Sequence, residues 1–538
     1  MKSRLIHLFF VALTATMIIL MSCKKGGNES PTLFIMPYVT DVVFSADGLS
    51  LFSEGATISS DFTVITNQKE WNAMSDKMWV QATPLTDNRF SLSVALDASD
   101  SPPEPAKVYI TAGAATPFVF GVTQASPDPP DPPDPPTDEI PRVGSLNRET
   151  MQHTVERYLE MKEAGITHGY CWFYTANAMN YALSVAAQAG VKMIARCPEL
   201  FDTPEIVADK FKDHSGLAGY CISDEPHRND FPQLAALARR IEAVDHKHFC
   251  FVNLFPNYAG LGALGTSSYR EHVQLFINEV RLPIVSFDHY PIQKNSSGVR
   301  TIRSDWYDNL EIISDEARKA GKPFWAYVCS IAIGNSFFSA PVPTLDDLRL
   351  QVYSNLVYGA QGILYFTYWS RPGSSDDLYG SPIGDDGEKT ETWYLVKQVN
   401  EEIKNLSGVF YDAEVLKVEH HVRRLIGNFE SNGTLPSGTT RFDFANRPGS
   451  AKAAITSFST SGACNLVVSF LQKGNRSYMV VLNRNLPGSA NSDLANITIE
   501  TATGVRRIHK DGTSEPASNF TGNQTLAPCD MWIYGWDN

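Results

Sequence analysis

The chain has 538 residues, more than one hydrophobic core ordinarily serves, so two to four domains are expected. Hydrophobic residues make up 43%, aromatics 11% and charged residues 19%, a mix that fills sizeable cores and excludes global disorder. A formal net charge of -14 excludes nucleic acid or an anionic membrane surface as the main partner, since both need clustered Lys and Arg, and leaves neutral ligands.

At the N-terminus Lys2 and Arg4 precede an apolar stretch from Leu8 to about Met21, which ends in Leu20-Met21-Ser22-Cys23. Residues 1–22 resemble a bacterial lipoprotein signal, which implies lipidation of Cys23 as the new N-terminus. The competing reading is an uncleaved membrane anchor, but the small Ser22 directly before Cys23 suits a signal peptidase better. Either way the rest of the chain is exported, and the lipoprotein reading places it on the bacterial outer membrane, held there by the lipid.

Residues 31–125 alternate with the two-residue period of strands in DFTVIT, FSLSVAL, AKVYITA and TPFVFGVTQ, between clusters of Asp, Ser, Gly and Pro, which predicts a small β-sandwich. With Asn67, Trp71, Trp79 and Gln124 in place, the segment resembles the BACON domain of Bacteroidetes carbohydrate-active enzymes. Trp71 and Trp79 are either stacking platforms or, more in keeping with their type, core residues of a spacer module. Residues 126–140 form a Pro-rich linker whose PDPPDPPDPP at 127–136 favours a polyproline II rod roughly 30 Å long.

Over 141–412 helical and strand-like patterns alternate: ETMQHTVERYLEMKEAG then ITHGYCWFY, AMNYALSVAAQAG then VKMIARC, PEIVADKFKDHSG then LAGYCISDEP, DFPQLAALARRIEAVD then HFCFVNLFP. The alternation continues through LPIVSFDHYP, KPFWAYVCS and ILYFTYW, each a continuous apolar run of the kind parallel strands under helices require. This predicts a (β/α)8 barrel, its first strand falling in PRVGSLN at 141–147. Residues 413–538 return to strands in CNLVVSFLQ, RSYMVVLNR, ANITIETA and DMWIYGW, a C-terminal β-sandwich without apparent chemistry. Cys464 and Cys529 share that segment, where a bridge and two separate thiols are both open.

Barrel chemistry sits where strands end and βα loops begin. The polar and aromatic residues there are Trp172 and Tyr174, Glu199, Asp224 and Glu225, Asn253, Asp288-His289-Tyr290, Trp325 and Tyr327, and Tyr368-Trp369. A carboxylate at such a tip is partly desolvated, which raises its pKa and keeps a proton available near neutral pH, so Glu225 reads as a general acid. Seven rings at or near strand tips suit stacking on pyranose faces; each ring alone is better read as core, and the weight lies in their coincidence. Asn253 reads as binding a sugar hydroxyl or capping its loop, and His289 as substrate-binding or plain packing. No C-x-x-C and no second ligand near His289 point to a metal, and neither metal nor cofactor is expected.

With PRVGSLN as strand one, GYCISDEP is strand four. The arrangement then resembles the clan of retaining glycoside hydrolases that carry the acid/base Glu at the end of strand four. In particular it is similar to Bacteroidetes glycosidases with G-Y-x-x-x-D-E-P, D-x-Y-P and G-x-x-Y-F-x-Y-W in strands four, six and eight. The resemblance implies an acid/base role for Glu225, with Asp224 as its orienting or substrate-binding neighbour. It fails at strand seven, where KPFWAYVCS lacks the nucleophilic Glu of the clan. Asp288 is the leading candidate for the second catalytic carboxylate and Glu199 the next. Two functions follow: an exported glycoside hydrolase of a poly- or oligosaccharide, or a non-catalytic glycan-binding surface lipoprotein on a degenerate barrel.

Overall fold

The computed structural model describes residues 139–538, apart from 147–152, 296, 335–338, 370–376, 427–428 and 489–493. Ahead of residue 139 it describes 6–9, 33–37, 43–45, 48–51, 57–66, 69–85, 88–95, 106–113 and 118–124. Two compact units emerge, Met1–Asp134 and Pro135–Asn538, divided inside the Pro-rich segment. Cys23 and the linker residues 126–138 lie outside the described residues.

In the first unit, Leu33–Pro37, Thr57–Thr66, Arg89–Ala95 and Val80–Pro84 form one antiparallel sheet. The other takes the order Val43–Ser45, Gly48–Leu51, Ile6–Phe9, Phe118–Gln124, Ala106–Ala112, Trp71–Ser75, so a short strand also falls inside the expected leader. Ala106–Ala112 buries Ala106, Val108, Ile110 and Ala112 on one face while Lys107 faces water, the two-residue period that the sequence shows. Trp71 is half-buried, with its indole N–H on Asn88 Oδ1 at 3.3 Å.

The second unit is built on a closed parallel barrel of β1 (Arg142–Ser145), β2 (His168–Trp172), β3 (Lys192–Arg196), β4 (Leu217–Asp224), β5 (Phe249–Leu254), β6 (Val285–Phe287), β7 (Phe324–Cys329) and β8 (Gly362–Phe366). Arg142 pairs with Ile363, so the expected first strand closes the ring. The main covering helices are α1 (Val155–Glu163), α2 (Ala176–Gln188), α3 (Pro204–Phe211), α4 (Phe231–Glu242), α5 (Tyr269–Glu279), α6 (Trp306–Lys319), α7 (Leu345–Val357) and α8 (Glu391–Asn405). Thr154, Thr175, Ser268 and Thr344 start α1, α2, α5 and α7, each side-chain oxygen accepting a backbone N–H three residues on.

The continuous apolar strands are explained by burial on both faces. In β7, Trp325, Tyr327 and Cys329 point into the barrel with Ile194, Cys221 and Leu364, while Phe324, Ala326 and Val328 pack outward beneath the helices. The C-terminal sheets repeat the device. Cys464–Lys473 turns Leu466, Val468 and Phe470 toward a second sheet of Ile455–Ser461, Ala495–Thr501 and Gln524–Leu526. Its alternate residues Val467 and Leu471 join the barrel core, and Ser469 Oγ donates to Val357 O at 2.7 Å. The sandwich is therefore part of the same compact unit as the barrel. Cys464 and Cys529 are separate buried thiols, the latter donating to Asn485 O at 3.1 Å. No helix among the described residues is long and apolar enough to cross a membrane.

Candidate active site

The C-terminal mouth of the barrel opens into a cavity of about 450 Å³. Asp224, Glu225, Asn253 and Asp288 lie at one side, and Trp172, Tyr290, Tyr327 and Trp369 supply aromatic wall. Neighbouring residues of a regular strand face opposite ways, yet Asp224 and Glu225 both reach this space. A shift in the register of β4 against β5 between Cys221 and Ser223, followed by a left-handed φ of 47° at Glu225, turns the pair to the mouth. Glu225 N–H donates to Asn253 O at 2.8 Å, which ties the tip of β4 to β5.

Asn253 organises the acids. Ser286 Oγ donates to its Oδ1 at 3.3 Å, so its Nδ2 faces the carboxylates and donates to Asp224 Oδ1 at 3.2 Å and to Asp288 Oδ1 at 3.0 Å. Glu225 and Asp288 each act on the other's carboxyl. Desolvation, reinforced by the charge of Asp224, lifts the Glu225 carboxyl to about 7, against the opposing effect of Asp288. Asp288 is raised well above the carboxylate range by desolvation and then by Glu225 and Asp224. The two behave as one dyad that holds a proton near neutrality. Asp224 is exposed to the cavity by area, but the surrounding barrel wall still desolvates it and raises it, less the effects of the Asn253 amide and the Arg196 charge.

Of the residues that the sequence proposed, Trp172, Asp224, Glu225, Asn253, Asp288, Tyr290, Tyr327 and Trp369 line this cavity, and five do not. Tyr174 is 55% exposed beyond the end of β2. Glu199 starts the short helix Glu199–Asp202 directly after β3, and its Oε1 accepts from Ala176 N–H at 3.0 Å, capping α2. His289 is fully buried with Nε2 3.1 Å from Asp305 Oδ1 and its ring 4.9 Å from those of Tyr258 and Trp306. Trp325 faces the barrel interior, but two residues below Tyr327, against Phe249 and Phe251. Tyr368 is buried under α1 and α8, donating to Glu160 Oε1 at 3.2 Å and accepting from Trp393 Nε1 at 3.1 Å.

The cavity adds residues the sequence reading passed over: Ser145, Leu146, Tyr170, Phe366, Thr367 and Leu378. Tyr170 was legible, being two residues before Trp172 and hence on the same face of β2; the Trp172 indole N–H donates to its hydroxyl at 2.9 Å. Leu378 was not, because it arrives on a small sheet of Ala332–Gly334, Ser339–Ala340 and Asp377–Tyr379 formed by two separate loops. Among the described residues no group of three or more His, Cys, Asp or Glu side chains is arranged to hold a metal ion.

Residues 265–406 match the sequence model of the glycosyl hydrolase family 42 β-galactosidases. This span holds the last three strands of the barrel, β6 to β8, including Asp288 and excluding Glu225. None of the curated proteins matches the chain. Among solved structures, a catalytic mutant of Gan42B, a family 42 β-galactosidase from G. stearothermophilus, aligns at a TM-score of 0.50 and 9% identity over 75% of this chain and 99% of that one. The likeness establishes a shared fold. The β-galactosidase of Marinomonas ef1 aligns at 0.39 and 11% identity over 50% of this chain, and that of Halorubrum lacusprofundi at 0.38 and 13% over 49%. This chain spans 60% and 58% of those two proteins.

Proposed function

We propose that the protein is a glycoside hydrolase cleaving O-glycosidic bonds of a poly- or oligosaccharide. One observation carries the reading: at the catalytic end of a (β/α)8 barrel, inside an aromatic-walled cavity, Asp224 and Asp288 are bound to one Asn253 amide with Glu225 beside them. A buried acid that stays protonated to about pH 7 can protonate the leaving oxygen of a glycoside, the step a sugar acetal cannot manage unaided. The rings of Trp172, Tyr290, Tyr327 and Trp369 border the space a sugar would enter, and Asn253 holds Asp224 and Asp288 relative to one another. The family 42 match over 265–406 supports the same class and puts β-galactosides first in any substrate panel.

Purified protein is assayed on β-galactosides, other aryl glycosides and plant, algal and host polysaccharides, alongside Glu225→Gln. Hydrolysis that disappears in Glu225→Gln is the expected result; hydrolysis that survives removes Glu225 from the chemistry. Binding without hydrolysis on the whole panel restores the glycan-binding reading, whose ground was the missing carboxylate on β7.

Export rests on the leader. The resemblance of residues 1–22 to a lipoprotein signal supports lipidation of Cys23 and attachment to the outer membrane, with the BACON-like module at 31–125 and the linker lying between Cys23 and the barrel in the chain. Cys23→Ser is expected to move the protein from the membrane to the soluble fraction, and an unchanged distribution counts against the anchor.

A further inference from the structure

Arg196 ends β3 in register with Trp172 of β2, two residues beyond the inward-facing Ile194, so its side chain leaves the strand on the inner side of the barrel mouth. There the guanidinium lies over two rings, 4.3 Å from the centre of Trp172 and 4.5 Å from that of Phe201. Trp172 is itself a wall of the cavity. Among the described residues no oxygen accepts a hydrogen bond from this guanidinium and no carboxylate pairs with it. Arg142, Arg157, Arg228, Arg303 and Arg349, half-buried or buried in the same barrel, each hold an acid: Glu139, Glu160, Glu279, Asp305 and Glu402 in turn. Rings fix the plane of a guanidinium but leave its five N–H donors without a lone pair to bind.

The nearest acids do not answer that charge. Glu199, three residues on, turns away to accept from Ala176 N–H. Asp224 feels the charge of Arg196 without forming an ion pair with it, and desolvation still keeps its carboxyl raised. The raised acids at the mouth carry less negative charge than free carboxylates would, so they repel an incoming anion less. Access is favoured on this side. The chain after β2 and β3 runs only through 173–175 and 197–198 before the next helix, whereas after β6, β7 and β8 it runs through 288–305, 330–344 and 367–390. Arg196 is accordingly half-buried rather than sealed in. The net charge of -14 favours neutral ligands for the chain as a whole, but a bound sugar meets the local group and not the average.

We propose that Arg196 selects the substrate by binding an anionic substituent of the sugar, the carboxylate of a uronic acid or a sulfate ester. This rests on the glycosidase reading and narrows its substrate class to acidic glycans. A guanidinium held flat on Trp172 and Phe201 presents a fork of N–H groups that matches two oxygens of either anion, a match that a lysine ammonium lacks. A neutral hexose brings only a hydroxyl to the same place and leaves the fork unfilled. A site built around such a partner discriminates against the analogue that lacks it.

The test uses the full-length protein and matched sets of nitrophenyl glycosides, each set holding the neutral sugar, its uronide and its sulfate ester, with the galactose series first. Wild-type kcat/KM is expected to be about 10- to 100-fold higher on one acidic member than on the neutral one, and which acid is preferred separates carboxylate from sulfate. Arg196→Gln is expected to bring that ratio to within about threefold of unity, chiefly by raising KM for the acidic substrate, while Arg196→Lys keeps part of it because the charge stays and the fork is lost. Equal losses on acidic and neutral members in Arg196→Gln, with the ratio kept, would reduce Arg196 to a support for Trp172 and overturn the inference. A wild-type preference for the neutral member of every set overturns it too, and needs no variant to fold. Both outcomes leave the glycosidase reading standing. A wild-type protein inert on every glycoside overturns that reading instead, and calorimetry with acidic and neutral oligosaccharides then decides the inference. Tighter binding of the acidic ones, lost in Arg196→Gln, upholds it; equal or absent binding overturns it.

Discussion

The two ends of the barrel hold cavities of similar size, about 450 Å³ at the mouth and about 510 Å³ at the base, and they differ in what their polar groups are doing. At the base, where Phe324, Trp325 and Gln361 meet the first residues of the C-terminal region, the polar groups serve the backbone. Gln361 Nε2 donates to Gly359 O at 3.3 Å and Phe410 O at 3.0 Å, its Oε1 accepts from Asp412 N–H at 2.7 Å, and Lys322 Nζ donates to Leu282 O at 2.7 Å. At the mouth three carboxyls crowd one amide, and the barrel raises the affinity of each for a proton. Volume therefore does not distinguish a reactive site from a structural gap; acids packed closely enough to resist ionisation do.

The sharpest way to break this contrast is to remove the mouth's acid. Glu225→Gln is expected to lower kcat/KM about 1000-fold on glycosides with poor leaving groups, and far less on dinitrophenyl glycosides that need no proton. A uniform loss across both would mean that the residue shapes the cavity and donates nothing. At the base, Trp325→Ala is expected to cost about 3 to 5 kcal/mol in denaturant unfolding, because it empties space between Phe249, Phe251 and Gly362, while kcat/KM stays within about threefold. A collapse in kcat/KM without loss of stability would move the site downward.

The pH dependence sharpens the difference further. With Glu225 raised to about 7, kcat/KM on poor leaving groups is expected to fall about tenfold per unit as pH rises beyond that value. The same shift sets a stability slope. The folded protein holds this proton more tightly than the unfolded chain, so the contribution is full below the ordinary value of 4.5 and is lost as pH climbs through about 7. Glu225→Gln is expected to flatten that slope between denaturant midpoints measured at pH 5 and pH 8; an unaltered slope would assign it to other groups. The smallest effect belongs to Tyr174→Ala, expected to leave kcat/KM within about twofold because the residue is more than half exposed and does not line the cavity. A larger loss would extend the substrate path over the end of β2.

Glu199 and Asp288 show how far the sequence can be read. Both acids follow apolar strands, and both were legible as candidates. The chain after β3 turns at once into a short helix that carries Glu199 onto the start of α2, whereas the chain after β6 keeps Asp288 beside Asn253. Trp325 and Tyr327 make the same point for depth. Alternation says that both face inward, but only the position of β7 in the ring puts one at the base and the other in the cavity wall.

The sequence by itself determined the order of the modules, the eight strands and the tips at which acids sit, because apolar periodicity and helix starts are local properties of the chain. It also set Asp224 beside Glu225. Only the tertiary structure decided that Glu225 and Asp288 act on each other's carboxyls, that Asn253 bridges Asp224 and Asp288, and that Glu199, His289 and Tyr368 are spent elsewhere. Those are distances between residues far apart in the chain, fixed by barrel closure and a register shift in β4, and no local pattern encodes them.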